Sequence, residues 1–328
     1  MKHAGVIAGL CWAVACGSSN RSTYGTPDGS TGADSSVDGA MPPSDGSTDG
    51  TIGFGDGTGG DGGSCTAPDM LVVLDHTDSM SDEPNGAKPA NTMAGQMLTK
   101  WWLATDAVKA AVAPPLDQKV AYGLELFPLD PATFMDAGGT GKCETLSALL
   151  GGTASTNTSC QPAEVLVPPG VGTGATITGI LDPTTLRLCV STPIALALQT
   201  ARSELLSIQQ PGVKQYVLLV TDGGETCSGD VTGAAQTLAQ EGIKTFVVGF
   251  GSADAGAAGV NVKTLNDAAC AGQTAIGFPG PCTMNDAGTG YVATKPNGAP
   301  VFYLAQDGAS LQAALQMITS GICCGCAQ

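Results

Sequence analysis

Apolar runs alternate with helical stretches along most of the chain, beginning near residue 66. Short runs rich in Val, Leu and Ile, bounded by turn-forming residues, predict strands near 69–75, 119–127, 215–221, 243–250 and 300–304. The stretches between them predict helices near 91–112, 193–208, 231–241, 261–270 and 308–320. This alternation indicates an α/β fold, a doubly wound and mostly parallel sheet with helices on both faces, as in Rossmann-like domains.

The alternation is interrupted between about residues 130 and 188, where the chain is rich in Gly, Thr and Pro. A connection of this length is usually either functional or held by cross-links. Cys143 and Cys160 lie within it. We therefore predict one domain over residues 65–328 that carries an insertion at about 130–188.

The first 16 residues have the pattern of an export signal. Lys2 precedes an apolar stretch at residues 6–14, which is too short to span a bilayer as a mature helix. Residues 13–16 resemble a bacterial lipobox, in which the cysteine becomes the lipidated first residue. We predict a signal peptide over 1–16, a membrane anchor through lipid on Cys16, and an outer-membrane lipoprotein that faces the periplasm or the cell surface. Ordinary signal-peptidase cleavage, which would give a secreted protein, is the alternative.

Residues 17–64 differ in composition from the rest of the chain. They are mostly Gly, Ser, Thr and Asp, with a single basic residue, Arg21, and almost no large apolar side chains. Such a segment cannot bury a core, so we expect a disordered linker. A random coil of this length has a reach of about 40 Å, enough to hold a folded domain away from a membrane.

Charge and cysteine content narrow the possible functions. The net charge is −16, and the 13 lysines and arginines are scattered singly, so binding to nucleic acid is excluded. The chain has 12 cysteines, a number typical of an oxidising compartment. An exported, disulfide-stapled protein is consistent with both observations.

The candidate chemistry begins at the end of the first predicted strand. Asp75 follows a buried apolar run, and Thr77 and Ser79 supply hydroxyl oxygens at alternate positions after it. Open α/β sheets place their ligands at the carboxyl ends of their strands. Carboxylate and neutral oxygens in one loop are typical ligands of Mg²⁺ or Mn²⁺.

Two further fragments have related chemistry. Thr192 precedes Pro193 and an apolar helical stretch, so the sequence predicts Thr192 as a helix N-cap with Pro193 at the first helical position. Asp222 ends a second apolar run and is followed by two glycines, which predicts a central parallel strand that runs into a tight turn. Each acid, taken alone, is as well explained by a cap or a turn.

Together the three fragments resemble the von Willebrand factor type A family. The Asp75, Thr77 and Ser79 loop is similar to its Asp-x-Ser-x-Ser signature, with threonine in place of the first serine. In that family the signature forms the metal-ion-dependent adhesion site. The resemblance covers most of residues 66–322 and implies Thr192 as a second-loop ligand and Asp222 as a third-loop ligand. The predicted metal ligands are Asp75, Thr77, Ser79, Thr192 and Asp222, and the predicted ion is Mg²⁺ or Mn²⁺.

The resemblance has two further implications. The insertion occupies the place where the family has a short edge strand. Asp82 and Glu83 fall where integrin β subunits carry a second, adjacent metal site, although solvated loop charges are the alternative explanation.

Sequence does not determine how the cysteines pair, but it suggests partners. Cys143 with Cys160 would close the insertion, and Cys270 with Cys282 would close a loop after a helix. The flanks of the second and third metal loops carry one cysteine each, so we predict that Cys189 and Cys227 form a bridge. Cys65 is predicted to bond to the cysteines of the tail, Cys323, Cys324 and Cys326.

Three classes of function follow. The first is a metal-dependent binding and adhesion module whose protein partner presents an exposed Asp or Glu to complete the coordination. The second is a structural envelope lipoprotein with a vestigial metal site. An enzyme acting on a small-molecule substrate is the third, and it is disfavoured because His76 is the domain's single histidine and no nucleophile motif or phosphate loop is present.

Overall fold

A strand with an unbroken apolar run lies in the central part of the sheet. The run from Met70 to Leu74 is fully buried, which is expected of a strand covered by helices on both faces. The computed structural model describes residues 66–130, 143–156, 160–253 and 259–323. All of them belong to one unit of the chain.

Ten strands and eight α-helices are formed by the described residues. The strands are β1 (Asp69–Asp75), β2 (Ala121–Phe127), β3 (Glu144–Thr145), β4 (Glu164–Gly170), β5 (Arg187–Leu188), β6 (Gln215–Thr221), β7 (Lys244–Phe250), β8 (Cys282–Met284), β9 (Tyr291–Ala293) and β10 (Tyr303–Ala305). The helices are α1 (Met93–Gln96), α2 (Lys100–Ala111), α3 (Leu146–Leu150), α4 (Gly174–Ile180), α5 (Ile194–Ser207), α6 (Val231–Gln240), α7 (Val262–Ala271) and α8 (Gly308–Ile322).

Six strands form the main sheet in the order β10-β7-β6-β1-β2-β4. Every neighbouring pair is parallel except β2 with β4, which is antiparallel. Strand β1 therefore lies between β2 and β6. Because β1 and β6 are parallel, their carboxyl ends lie side by side at the same edge of the sheet. The α/β fold with a mostly parallel sheet is confirmed.

Helices cover both faces of this sheet. One apolar cluster packs α2, α4 and α8 against one face, and a second packs α5, α6 and α7 against the other. Alternate residues of β1 enter the two clusters, Val72 on one side and Val73 on the other. The sheet is thus a rigid base from which the loops at its carboxyl edge extend.

The helix predicted near 91–112 is wrong as a single helix, because the structure divides it at Thr99. The Thr99 backbone is extended, and its hydroxyl accepts a hydrogen bond from the Trp102 N–H at 3.2 Å. The same hydroxyl donates to the Gln96 carbonyl at 2.6 Å. Threonine is a favoured N-cap because its oxygen satisfies an otherwise unpaired N–H of the first turn. As a result α2 begins at Lys100.

The insertion is partly a piece of the sheet. Its residues Glu164–Gly170 form β4, the edge strand that the sequence led us to regard as replaced. Pro168 and Pro169 lie within this strand, and proline is tolerated on an edge because the missing N–H faces away from the ladder. Nearby, β3 and β5 form a separate antiparallel pair.

The cysteine pairing of the insertion was predicted incorrectly. The bridges join Cys143 to Cys189, Cys160 to Cys227 and Cys270 to Cys282. Only the last agrees with the sequence-based pairing; the predicted Cys143–Cys160 and Cys189–Cys227 bridges are wrong. The reason lies in β3 and β5, where Glu144 pairs with Leu188 and so brings the preceding Cys143 beside the following Cys189.

Several sequence predictions lie outside the described residues. These are the signal peptide, the lipidated Cys16, the linker at 17–64 and the partners Cys65, Cys324 and Cys326 of the predicted tail bridge. Cys323 is disulfide-bonded. Within the described ranges, no helix combines the length and the apolar content that are needed to cross a membrane.

Candidate metal site at the carboxyl edge of the sheet

The site is built where two adjacent strands end. Strand β1 ends at Asp75 and its neighbour β6 ends at Thr221, directly before Asp222. Both aspartates are buried, with 0% and 1% of their surface exposed. The parallel arrangement of β1 and β6 therefore brings two acids together from positions 147 residues apart in the sequence.

Asp75 is held rigidly by hydrogen bonds to both of its oxygens. Oδ1 accepts from the Thr77 N–H at 2.9 Å, and Oδ2 accepts from the Thr221 hydroxyl at 2.6 Å. Thr221 was not predicted as a site residue, although it directly precedes the predicted Asp222. Each oxygen of Asp75 retains a further lone pair with which it could bind a cation.

A chain of hydroxyls links the first loop to the second acid. The Ser79 hydroxyl donates to Asp222 Oδ1 at 2.9 Å, so its single proton is used. The contact of 2.9 Å between the Thr77 and Ser79 hydroxyl oxygens is therefore donated by Thr77. Adjacent corners of a Mg²⁺ octahedron with bonds of about 2.1 Å are separated by about 3.0 Å. The spacing of these oxygens consequently fits a small, hard cation.

Thr192 lines the same cavity but does not cap a helix as predicted. The residue flanking α5 is Pro193, which has no side-chain cap, and the helix begins at Ile194. Thr192 is instead fixed through its backbone, because its N–H donates to the Thr226 hydroxyl at 2.6 Å and its carbonyl accepts from the Thr226 N–H at 3.1 Å. The Thr192 hydroxyl is thereby left available to the cavity.

Glu225 replaces the missing cap and was not predicted from sequence. One of its carboxylate oxygens accepts from the Ala195 N–H at 2.9 Å, and the other accepts from the Cys227 N–H at 2.6 Å. A carboxylate at a helix N-terminus is favoured by the unpaired N–H groups and by the helix dipole. Glu225 thus joins the loop that carries Asp222 to the helix that follows Thr192.

Lys100 is the second residue that sequence reasoning missed. Its ammonium lies 2.5 Å from Asp222 Oδ2, and both side chains are completely inaccessible to solvent. Lysine is almost never fully buried without a partner. Since Lys100 lies far from Asp222 in the sequence and opens a helix, no local signal marks it as part of this site.

Burial raises the pKa values of both acids. Removal from water is the main cause of the increase at Asp75, to about 7, and the charge of Asp222 adds to it. Burial likewise raises the pKa of Asp222, while Lys100 and the Ser79 hydroxyl oppose the increase. Two ionised carboxylates are therefore costly here, and a bound divalent cation would relieve that cost. The donor types and the electrostatics both fit such an ion.

A cavity of about 550 Å³ opens in front of these groups. Four of the five predicted ligands line it: Thr77, Ser79, Thr192 and Asp222. The fifth, Asp75, lies behind them and bonds to the Thr77 backbone. Asp78 also lines the cavity, and burial is the main reason that its pKa rises to about 6. Among the described residues of the wall there is no lysine or arginine.

The insertion is attached to this cavity by its disulfides. Cys189 lines the wall, and its backbone carbonyl accepts from the Asp78 N–H at 2.8 Å. Cys227 follows the Glu225 loop. Because Cys143 bonds to Cys189 and Cys160 bonds to Cys227, each loop is tied to the insertion and not to the other loop.

Asp82 and Glu83 are not brought to the cavity. Asp82 pairs with Lys88 at 2.9 Å, and Glu83 accepts a long contact of 3.4 Å from Asn85. Neither is among the residues that line the cavity. The predicted adjacent metal site receives no support from this arrangement.

His76 is directed away from the cavity. Its Nδ1 lies 2.8 Å from the Arg187 carbonyl oxygen, and its Nε2 contacts the carbonyl of Pro128. Burial lowers the pKa of His76, although the two carbonyl contacts favour the charged form. With both ring nitrogens engaged, His76 is not positioned to serve as a catalytic base.

Residues 176–273 match the family model of the von Willebrand factor type A domain. Over these residues the chain is similar to a von Willebrand factor type A domain. The matched stretch includes the loops of Thr192 and Asp222, and β1 with its Asp75 loop lies before it. No curated protein matches the sequence.

Several solved structures are similar to this chain at low sequence identity. Proximal thread matrix protein 1 from the mussel byssus is 14% identical, with a TM-score of 0.46 over 78% of this chain and 48% of the mussel protein. A form of that protein with a zinc-occupied MIDAS motif is 12% identical, with a TM-score of 0.44 over 78% and 48% of the two chains. An aerotolerance-related membrane protein from Bacteroides fragilis is 15% identical, with a TM-score of 0.40 over 78% and 96%. This chain thus spans about half the length of the mussel protein.

Proposed function

We propose that this protein is a divalent-metal-dependent protein-binding module. The observation that carries the proposal is the convergence of the Asp75 loop, Thr192 and Asp222 on one cavity, with oxygen spacings that suit a small hard cation. In this role Asp75, Thr77, Ser79, Thr192 and Asp222 would hold Mg²⁺ or Mn²⁺.

The lining of the cavity supports a partner with an exposed Asp or Glu. Asp78, Asp222 and Glu225 make the wall acidic, and no described wall residue is basic. A carboxylate that enters would meet repulsion unless a metal ion supplies positive charge. Partner binding is therefore expected to depend on the metal, in line with an adhesion or assembly function.

The metal proposal is tested by calorimetric titration of the purified chain with Mn²⁺ and with Mg²⁺. Ser79→Ala removes a hydroxyl that faces Asp222, and it should abolish or strongly weaken the heat of binding. Ser81→Ala is the matched control, because Ser81 is a buried serine of the same short 3-10 helix that does not line the cavity. Absence of metal-dependent heat, or equal heat in Ser79→Ala, would contradict the proposal.

A second candidate is a structural envelope protein whose metal site is vestigial. The ion pair of Lys100 with Asp222 favours it, since this pair neutralises one acid without any metal. Recovery of binding partners with and without EDTA separates the two candidates. Partners that are lost in EDTA support the binding module, and partners retained equally in both conditions support the structural role.

The proposed location is the bacterial envelope, through a lipid on Cys16. The support is the export pattern of residues 1–16. Intact-mass analysis of the mature protein should find an amino terminus at Cys16 that carries acyl chains. An unmodified terminus, or cleavage at another position, would refute the anchor and favour a secreted protein.

A further inference from the structure

Lys100 places a positive charge inside the proposed metal site. Its side chain is completely buried, and Asp222 Oδ2 lies 2.5 Å from its ammonium. No hydrogen bond from this ammonium to another described residue is present. An ammonium has three N–H donors. Among the described residues the Asp222 carboxylate is the one group that faces them, in buried surroundings of low dielectric constant.

Two features of the fold hold Lys100 in this position. It is the first residue of α2, and its backbone N–H donates to the Asp82 carbonyl at 2.8 Å, which fixes the helix start beneath the first loop. Its stem passes close to Gly251 at the end of β7, where a Cβ would lie 3.8 Å from Lys100 Cδ. The φ of +144° at Gly251 favours glycine in any case. These contacts fix the position of Lys100 relative to the first loop and to the end of β7.

The charge count of the site changes because of Lys100. Asp75 and Asp222 contribute two negative charges when ionised, and Lys100 contributes one positive charge. For these three side chains alone, a divalent ion would leave one net positive charge with Lys100 present and none without it. Asp78 and Glu225 of the wall add the same negative charge in both cases, so Lys100 makes the loaded site one charge unit more positive. Because both Lys100 and Asp222 are buried, repulsion between the ammonium and a bound ion is poorly screened by water or salt.

We propose that Lys100 is an internal counter-cation that opposes the binding of a divalent ion alone and makes the loaded site one charge unit more positive, which favours an incoming carboxylate. The inference rests on the proposed function, that this cavity binds a divalent metal. It predicts that metal and carboxylate bind cooperatively, each increasing the affinity for the other by the same factor. Removal of the ammonium should strengthen metal binding and weaken this cooperativity.

The experiment compares the purified wild-type chain with Lys100→Met by Mn²⁺ calorimetry, without and with acetate as the carboxylate probe at matched ionic strength. We expect Lys100→Met to bind Mn²⁺ at least tenfold more tightly than wild type without acetate. Acetate should raise the Mn²⁺ affinity of wild type and raise that of the variant less. Lys109→Met is the matched control, because Lys109 lies at the other end of α2 and pairs with Asp106 at 3.6 Å; it should behave as wild type.

The possible outcomes separate this inference from the proposed function. If wild type binds Mn²⁺ and Lys100→Met binds no more tightly, or acetate acts equally on both, the role of Lys100 is overturned and the metal site stands. If only Lys100→Met binds, the lysine is confirmed as an opposing cation and the natural chain is not metal-dependent. Binding by neither protein overturns both ideas.

A second neutral variant covers the case in which Lys100→Met does not fold. Lys100→Gln keeps a donor that can reach toward Asp222 and carries the same expectation of tighter Mn²⁺ binding. If neither variant folds even with Mn²⁺ present, Lys100 is a structural residue and the inference is overturned.

Discussion

At the scale of single residues, Thr77 carries the one departure from the family signature. Its hydroxyl is retained, and it donates to Ser79 at 2.9 Å in the chain that ends at Asp222. The residue is only 3% exposed and forms an isolated backbone bridge with Cys189, so its side chain is buried. We therefore predict that the hydroxyl oxygen, and not the methyl group, is the part of this side chain that would bind a metal ion.

Thr77→Val tests that conclusion. Valine keeps the shape and removes the oxygen, so Mn²⁺ affinity should fall by about tenfold or more, equivalent to about 1.4 kcal/mol. Thr77→Ser, which keeps the oxygen and removes the methyl group, should bind as wild type. Calorimetric titration measures both, and wild-type affinity in Thr77→Val would show that Thr77 is not a ligand.

Glu125 is a buried acid that does not line the proposed metal site. It lies in β2 with none of its surface exposed, and neither carboxylate oxygen has a hydrogen-bond partner among the described residues. Burial, with a smaller contribution from Glu204, raises the pKa of Glu125 well above its usual value. The folded protein therefore holds a proton at Glu125 that the unfolded chain releases near the ordinary glutamate pKa.

The raised pKa of Glu125 should make the free energy of unfolding depend on pH. The folded state binds more protons at Glu125, so this residue makes the free energy of unfolding fall as pH rises above the unfolded pKa, until the folded pKa is reached. Glu125→Met removes this dependence and the unpaired polar group, and it should stabilise the protein by about 1 to 3 kcal/mol at neutral pH. Urea denaturation at several pH values measures it, and an unchanged pH profile in Glu125→Met would contradict the assignment.

At the scale of elements, the strands at the centre of the sheet could be predicted from sequence because burial on both faces demands unbroken apolar runs. The predicted 69–75 and 215–221 match β1 and β6. Strand β4 could not be predicted in this way, since it lies at an edge and contains Pro168 and Pro169. The break before α2 was missed because a threonine cap inside a helical pattern has no distinctive local signal.

The residues of the site also divide into those that a local sequence pattern predicts and those that it does not. The cavity residues of the Asp75 loop and Asp222 could be predicted from sequence as candidate ligands because each group lies at the end of an apolar strand. Lys100 and Glu225 were not, because their roles depend on which elements pack together in three dimensions. The disulfide pairing of the insertion could not be predicted for the same reason. The Cys270–Cys282 bridge could be predicted because its cysteines are only 12 residues apart.

The loop lengths closed by the disulfides predict different contributions to stability. The Cys160–Cys227 bridge closes 67 residues and the Cys270–Cys282 bridge closes 12. The chain-entropy relation assigns them about 4 and about 3 kcal/mol, respectively. Double replacement of each pair by alanine, followed by urea denaturation, should show the larger loss for Cys160 and Cys227. An equal or reversed order would contradict the entropic explanation for this protein.

At the scale of the whole molecule, metal binding should stabilise the folded domain, because the site exists only when β1 and β6 lie side by side. Mn²⁺ at a hundred times its dissociation constant adds about 2.7 kcal/mol to the free energy of unfolding. For a domain of this size the melting temperature should rise by about 5 to 10 °C. Thermal unfolding with Mn²⁺ and with EDTA measures the shift, and the same shift in Ser79→Ala would assign it to metal bound elsewhere.

The interleaved order of two disulfides has a consequence for biosynthesis. Along the chain the cysteines occur in the order Cys143, Cys160, Cys189, Cys227, yet the first bonds to the third and the second to the fourth. Cys65 precedes these four, so an oxidase that joined thiols strictly in the order in which they emerge would link Cys65 to Cys143 and then Cys160 to Cys189. Neither is a native bond, so such a chain reaches its native state only by thiol–disulfide exchange. Producing this protein therefore calls for a host compartment with isomerase activity as well as an oxidant.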